Sequence, residues 1–301
     1  MEEGRPSATA IANAMTRAAH LLLDDDPKIF ADTLALGLSR VGDEAALRAN
    51  LNTLVEEIAR SSTLDFAQAL FREFRALQAL RSRYTEDELE KALQQGISQY
   101  VILGAGLDSF AYRRQDLSGG VRVFELDYPA TQQWKRERLR ELHIALPRNL
   151  TFIPIDFEKQ TLADVLRAGS YRLEEPAFFS WLGVTRYLTE DTVFKTLQAV
   201  AAVSALGSVL VFDYSLPDSL LDEESRRFLA VLRAFGTAHG EPWHSLFEPA
   251  NLAARVKEVG FAEVWDFGPE EANTRYFAGR TDGLRVPQVA RLMRARVGGV
   301  L

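Results

Sequence analysis

Residues 100–110 read YVILGAGLDSF, an apolar run that leads into Gly104 and Gly106 and then into Asp108 and Ser109. A short apolar run bounded by glycine is typical of a buried strand. Two closely spaced glycines permit a tight turn in which the backbone approaches a ligand, and a short polar residue after it suits a helix N-cap. The stretch predicts either a strand–turn–helix unit that binds a nucleotide-like ligand or the same tight turn in a purely structural role.

The composition limits the possible partners. The 301 residues carry a net charge of -7 and include no cysteine. This acidic balance argues against nucleic acid or an anionic membrane as the main partner, because both require a basic face. The basic run WKRERLR (134–140) interleaves Arg with Glu, as on a solvated helix face. The lack of cysteine excludes a disulfide framework, a thiolate zinc site and a cysteine nucleophile.

Targeting signals are not recognisable in the sequence. The stretch MEEGRPSATA at residues 1–10 has no basic region followed by an apolar run, so it does not resemble a signal peptide. The most apolar region, residues 197–214, is interrupted by Gly207 and is better explained by a helix end followed by a buried strand than by a membrane span. We therefore expect a cytoplasmic protein with no membrane segment.

The chain has two regions of different character. Residues 1–95 place apolar residues at helical spacing with charges between them, which predicts several amphipathic helices. Within residues 96–301, short β-rich runs alternate with helical patterns, as in βαβ units with a parallel sheet covered on both faces. We predict one α/β domain in which residues 96–301 form a Rossmann-like core and residues 1–95 form a helical lid over the carboxyl edge of the sheet.

The last two predicted strands break this alternation. The runs FAEVWDFG (261–268) and TRYFAGR (274–280) are separated by too few residues for a crossover helix, so we expect an antiparallel hairpin. Dinucleotide-binding sheets more often continue with another parallel unit, so this ending disfavours NAD as the ligand.

Acidic residues end the next two predicted strands. Asp127 follows Gly106 by about 20 residues, the spacing expected for a carboxylate that binds ribose hydroxyls, and Glu125 on the same strand face is the alternative. Asp156 and Phe157 together suit an adenine: the carboxylate would bind its amine, and the aromatic ring would cover one face of the base. Asp156 also suits a helix N-cap, which would be a purely structural role. Parallel strands bring their carboxyl ends to one sheet edge, where open α/β sheets bind ligands.

Four stretches together resemble a known family. They are LGAGLDSFAYR, VFELDYPATQQWKRERL, FIPIDFE and FFSWLGVTRYLTEDTV. Their order and spacing are similar to those of bacterial S-adenosylmethionine-dependent methyltransferases related to leucine carboxyl methyltransferase and polyketide O-methyltransferases, from about residue 75 onward. The resemblance implies a class I methyltransferase fold: a Rossmann-like, seven-stranded sheet with an antiparallel last strand and a helical N-terminal lid.

The resemblance also implies a role for each of these residues in binding S-adenosylmethionine. Gly104 and Gly106 would line its methionine and ribose end, and Asp127 would hold the ribose hydroxyls. Asp156 and Phe157 would hold the adenine.

Ser82 and Leu182 depart from the family pattern, whereas Arg81 matches it. Arg81, in ALRSRYTEDEL, stands where the family usually has the arginine of an Arg-Thr-Arg motif, which would pair with the cofactor's carboxylate. Ser82 replaces the usual threonine. Leu182 stands where many relatives have a glutamate near the methionine amine. This second departure indicates a distinct subgroup with its own substrate.

The acceptor side carries weaker signals. Methyl transfer from a sulfonium is an in-line displacement to which positioning contributes much, and a base is needed only if the acceptor must lose a proton. Candidates near the carboxyl edge are Tyr187, Tyr214, His239 and His244. Both histidines fall in AFGTAHGEPWHSLF (234–247), which is expected to be a loop over the site. The histidines show no metal-ligand spacing, so no metal is expected.

The sequence thus predicts an S-adenosylmethionine-dependent O-methyltransferase that acts on a carboxylate or hydroxyl of a small molecule, such as a polyketide-like metabolite, and releases S-adenosylhomocysteine. An NAD(P)-dependent oxidoreductase is one alternative, although Asp108 would repel its pyrophosphate. A non-enzymatic, cofactor-binding descendant of the fold is the other, and Leu182 keeps it open.

Overall fold

Seven strands form one mixed sheet. The computed structural model describes residues 7–157, 159–289 and 291–298. The strands are β1 (Gln99–Leu103), β2 (Arg122–Asp127), β3 (Leu150–Pro154), β4 (Phe178–Trp181), β5 (Val209–Asp213), β6 (Phe261–Phe267) and β7 (Leu292–Val297). Their order is β3-β2-β1-β4-β5-β7-β6. Strands β1 to β5 are parallel, and β7 is antiparallel to both β5 and β6. The predicted seven-stranded sheet with an antiparallel last strand is confirmed.

Helices precede the sheet and then alternate with its strands. They are α1 (Ala8–Leu23), α2 (Ala35–Ser39), α3 (Glu44–Ala59), α4 (Leu64–Gln94), α5 (Phe110–Arg113), α6 (Pro129–Glu141), α7 (Leu162–Arg167), α8 (Glu190–Ala202), α9 (Glu223–Ala238), α10 (Pro249–Glu258) and α11 (Pro269–Tyr276). None of the described helices is long and apolar enough to cross a membrane.

The sheet is buried on both faces, as its continuous apolar strands predict. In β1, Val101 and Leu103 pack into one apolar cluster, whereas Tyr100 and Ile102 pack into another on the opposite face. All five β1 residues are buried. Because each large apolar side chain contributes about 1.5–3 kcal/mol when fully buried, these two layers hold the central strands and thereby fix the positions of the loops at their ends.

The predicted position of the last strand is wrong. Part of TRYFAGR lies in α11, which begins with Pro269 at its first position and has Glu270 and Glu271 in its first turn. These residues are favourable at a helix N-terminus. The strand that pairs with β6 is instead the segment LMRARV, in which Arg294 Nε lies 3.1 Å from Glu88 Oε2.

A buried ion pair joins β2 to α6. Lys135 Nζ lies 2.6 Å from Glu125 Oε2, and both side chains are 1% exposed. Burial raises the pKa of Glu125 to about 7. Lys135 belongs to the basic run expected on a solvated face, but here it neutralises a carboxyl that the sheet has taken out of water.

We expect Lys135→Met to cost about 3–5 kcal/mol in the free energy of unfolding at pH 8, because Glu125 would remain buried and unpaired. The cost should be smaller at pH 5.5, where a carboxyl with a raised pKa is protonated and neutral. Urea unfolding at both pH values measures this loss of stability. The double variant Glu125→Gln/Lys135→Met is the control, and its free energy of unfolding should lack this pH dependence. An equal loss at both pH values would contradict this account.

Candidate functional site

A cavity of about 640 Å³ lies at the carboxyl ends of β1 to β4. Its volume is typical of small-molecule sites. Residues at the ends of these strands line it together with residues of other segments, including Ala10 and Arg17 of α1, Arg81 of α4 and Glu241 after α9. The parallel strands place the predicted groups along one wall, and α1 and the loop after α9 form the opposite side.

The glycine turn after β1 forms the floor of this cavity. Gly104 has φ 67° and Gly106 has φ 48°, both in the left-handed region that favours glycine. A Cβ on Gly104 would lie 2.5 Å from Val184 Cγ2, and one on Gly106 would lie 3.3 Å from Ala10 Cβ. The turn is therefore held between the segment after β4 and the first turn of α1, so a side chain would disturb both.

Asp127 faces the cavity from the end of β2. Its Oδ2 accepts a hydrogen bond from the Gly106 amide, and its Oδ1 accepts one from the Tyr128 amide at 2.6 Å. Burial raises the pKa of Asp127 to about 6, against the opposing effect of these two amides. Glu125, the alternative considered from the sequence, does not line the cavity, because it is buried against Lys135.

The end of β3 delivers the third predicted group. Asp156 and Phe157 both line the cavity. Asp156 Oδ2 lies 3.0 Å from Lys159 Nζ, and the Asp156 amide donates to Gln160 Oε1 at 3.1 Å. The end of β3 thus brings a carboxylate and an aromatic ring to the same cavity.

Arg81 supplies a buried positive charge to the same cavity. It is 8% exposed, and its nearest anionic atom is Asp213 Oδ2, 3.6 Å from Nη1. Its side chain makes no hydrogen bond to the described residues. Burial lowers its pKa to about 10, so it remains a cation at neutral pH. A buried guanidinium with unused N–H groups is a strong anion-binding group.

Asp213, at the end of β5, is a residue of the candidate site that was not predicted from the sequence. Its Oδ1 accepts the Gly183 amide at 2.5 Å, and its Oδ2 accepts Arg186 Nη2 at 2.6 Å. Arg81 and Arg186 therefore share one carboxylate, and Arg17 adds further positive potential at Arg81. The sequence contains a feature that could have identified it, because Asp213 ends a buried apolar strand just as Asp127 does.

The structure brings two of the four acceptor candidates to the cavity. Tyr187 and His244 line it. Tyr214 does not, since its buried hydroxyl donates to Asp266 Oδ1 at 2.7 Å. His239 does not either: α9 extends to Ala238, further than the predicted loop allowed, and leaves His239 exposed at the helix end with Nδ1 2.8 Å from the Phe235 carbonyl oxygen.

The side of the cavity opposite the sheet contains groups that the sequence did not single out. Glu241 is 6% exposed, and its Oε2 accepts the Thr9 amide at 3.2 Å. Arg17 donates to Asp32 Oδ2 at 2.8 Å and to the Leu107 carbonyl oxygen at 2.7 Å. Helix α1 is thus bonded both to the glycine turn and to the loop after α9. No local motif marks these residues, because only the fold brings them together.

The fold and the cavity define a class I methyltransferase. A "Putative S-adenosyl-L-methionine-dependent methyltransferase YktD" of Bacillus subtilis (strain 168) is 30% identical over 295 residues, which cover 94% of this chain and 95% of the relative. The family model for leucine carboxyl methyltransferase matches residues 10–201. The chain belongs to the leucine carboxyl methyltransferase family and is an S-adenosylmethionine-dependent methyltransferase.

Solved structures show the same fold. The crystal structure of a "putative methyltransferase" from Thermobifida fusca YX has a TM-score of 0.55 at 17% identity and covers 99% of this chain and 97% of its own. A DUF574 family protein from Streptomyces avermitilis has a TM-score of 0.57 at 16% identity, with coverages of 78% and 91%. These similarities confirm the predicted class I methyltransferase fold.

The residues present fit S-adenosylmethionine. The cofactor carries a carboxylate, a vicinal diol and an adenine, and the cavity offers a buried guanidinium (Arg81), a carboxylate oriented by two amides (Asp127) and an acid beside an aromatic ring (Asp156 and Phe157). Leu182 lines the cavity as well and provides no carboxylate there. A nicotinamide cofactor, the alternative left open by the sequence, is not the cofactor of this family.

Gly183→Ala tests the placement of Arg81. A Cβ on Gly183 would lie 2.8 Å from Arg81 Nη1, so the guanidinium has to move. We expect the Kd for S-adenosylhomocysteine to rise about 10-fold, in line with the loss of one charged hydrogen bond. Isothermal titration calorimetry measures the change.

Gly279→Ala is the matched control for this substitution. Gly279 has φ 75°, close to the 69° of Gly183, but a Cβ there has no atom within 4 Å. Both variants therefore carry a similar backbone strain, and only the first should lose affinity. An equal loss in the two variants would show that strain, and not displacement of Arg81, is responsible.

Proposed function

We propose that the chain transfers the methyl group of S-adenosylmethionine to an oxygen atom of a small molecule, in a carboxylate or a hydroxyl group. The observation that carries this proposal is the charge arrangement of the cavity. Arg81 and Asp127 bind the two ends of the cofactor's polar part, and the space beside Tyr187 and His244 is left for an acceptor. The matched family is named for methylation of a carboxyl oxygen.

The cofactor-binding roles follow from the chemistry of each group. Arg81 pairs with the cofactor's carboxylate, because it is a buried cation that shares the Asp213 carboxylate with Arg186. Asp127 accepts the ribose hydroxyls with oxygens already oriented by backbone amides. Asp156 and Phe157 hold the adenine, and the turn around Gly104 permits close approach of the methionine.

Catalysis in this proposal is mainly positioning. When bound, the cofactor supplies a methyl group already activated on a sulfonium. The chain holds the acceptor oxygen in line with that methyl group and excludes water, which reduces the entropic part of the barrier. In this proposal Tyr187 and His244, which line the cavity, contact the acceptor.

The helical region 1–95 acts as the lid in this proposal. Its support is the contact of α1 with three parts of the core. Arg17 bonds the Leu107 carbonyl oxygen, the Ser7 amide reaches Thr131 Oγ1 at 3.4 Å, and the Thr9 amide reaches Glu241. Residues 96–301 then form the cofactor-binding core, and both regions belong to one domain.

Asp127 makes cofactor binding dependent on pH. Above pH 6 its carboxyl is ionised and accepts two ribose hydroxyls, and below pH 6 it is protonated. We expect the Kd for S-adenosylhomocysteine to rise by at most 10-fold per pH unit below about pH 6, since one proton is linked to binding. Calorimetric titrations from pH 4.5 to pH 8 measure this dependence.

Asp127→Asn separates this effect from general acid sensitivity. We expect the variant to bind about 10- to 100-fold more weakly at pH 8, as for a lost hydrogen bond to a charged group, and to lose the pH dependence. Asp191→Asn, at an exposed surface acid, serves as the control and should behave like the unsubstituted protein. Full affinity in the Asp127 variant would contradict the assigned role.

A further inference from the structure

Glu241 is a buried acid that lines the cavity and is not one of the proposed cofactor-binding residues. It lies on the segment between α9 and α10, is 6% exposed and lines the cavity. Its Oε2 accepts a single hydrogen bond, from the Thr9 amide at 3.2 Å. It forms no ion pair with any residue that the structure describes.

The cations of the cavity wall are engaged elsewhere. Arg17 donates to Asp32 and to the Leu107 carbonyl oxygen. Arg81 lies against Asp213, and Lys159 lies 3.0 Å from Asp156. Arg81 still has unused N–H groups, but the proposed function assigns them to the cofactor's carboxylate. None of these three cations forms an ion pair with Glu241 among the described residues.

This charge balance discriminates between acceptor classes. An acceptor carboxylate would face Glu241 without a counter-ion, and a buried pair of like charges is strongly unfavourable. An acceptor hydroxyl would instead donate to Glu241 and satisfy its remaining acceptor capacity. The cavity therefore favours a neutral hydroxyl compound over an acid.

We propose that Glu241 binds the hydroxyl of the acceptor and removes its proton, so that the substrates of this chain are alcohols or phenols rather than carboxylic acids. This inference rests on the proposed function and narrows it. The acceptor O–H proton passes to the Glu241 carboxylate while the acceptor oxygen forms the new O–CH₃ bond. The S–CH₃ bond breaks with its electron pair going to sulfur, which becomes a neutral thioether, and Glu241 later releases its proton to solvent.

Glu241 also holds the first turn of α1 through Thr9, so a purely structural role has to be distinguished. Glu241→Gln does this, because the amide oxygen of glutamine still accepts the Thr9 N–H bond but neither takes a proton nor repels an anion. A structural role predicts that this variant behaves like the unsubstituted protein. Glu241→Asp keeps the charge on a shorter side chain and serves as the second variant.

The first experiment measures binding without turnover. The full-length protein, saturated with S-adenosylhomocysteine, is titrated with 2-naphthol and with 2-naphthoate, which share one ring system. We expect 2-naphthol to bind at least 10-fold more tightly, and Glu241→Gln to remove or reverse this preference. Equal or tighter binding of the naphthoate, an unchanged preference in the variant, or no detectable binding of 2-naphthol would overturn the inference.

The second experiment measures methyl transfer to phenols that differ in ionisation. At mildly alkaline pH phenol retains its proton, whereas 4-nitrophenol is already ionised and needs no base. We expect Glu241→Gln to lower kcat for phenol about 100-fold, as for a lost general base, and to leave kcat for 4-nitrophenol unchanged or higher. Equal losses for both phenols, or transfer to benzoate alone, would reject the role of Glu241.

A titration of the same samples with S-adenosylhomocysteine distinguishes a failure of the proposed function from a failure of the role assigned to Glu241. If S-adenosylhomocysteine does not bind, the proposed function fails. If it binds but the hydroxyl preference is missing, only the assignment of Glu241 and of the acceptor class fails.

Discussion

Asp213 is the one carboxylate on which the arrangement of the site depends. It accepts the Gly183 amide and Arg186, and it lies 3.6 Å from Arg81. Two buried guanidinium groups thus share one buried anion, and burial of an uncompensated charge is costly. In the proposed function, the cofactor's carboxylate binds Arg81 and completes this charge balance. Under that proposal, binding of the cofactor and burial of Arg81 are parts of one electrostatic arrangement.

The sequence predicts the parts of the site that follow single strands. Gly104, Asp127 and Asp156 each lie at or just beyond the end of a buried apolar run, and parallel pairing brings such ends together. The order of elements likewise predicts the sheet and its antiparallel finish. Local patterns were less reliable near the C-terminus, where the aromatic residues of TRYFAGR suggested a strand but Pro269 and the acids after it start a helix.

The remainder of the site depends on contacts between distant segments. Glu241 meets Thr9 across more than two hundred residues, and Arg17 meets Leu107 across α2 to α4. No periodicity or spacing marks such pairs, since each partner sits in an ordinary helix or loop. The environment of Lys135 could not be predicted from the sequence for the same reason. Its neighbours in the sequence indicate a solvated helix face, but its ammonium group pairs with buried Glu125. Packing, and not local pattern, decides which charges are buried.

A cycle that combines one substitution, Arg81→Ala, with one change of ligand tests whether Arg81 binds the cofactor's carboxylate. S-adenosylhomocysteine and 5′-methylthioadenosine share the nucleoside, but the second lacks the amino acid with its carboxylate. We expect Arg81→Ala to weaken binding of S-adenosylhomocysteine about 10- to 100-fold, as for a charged hydrogen bond, and to leave the affinity for 5′-methylthioadenosine unchanged. Equal losses for both ligands, or no loss for either, would show that Arg81 does not bind the cofactor's carboxylate and would contradict the account.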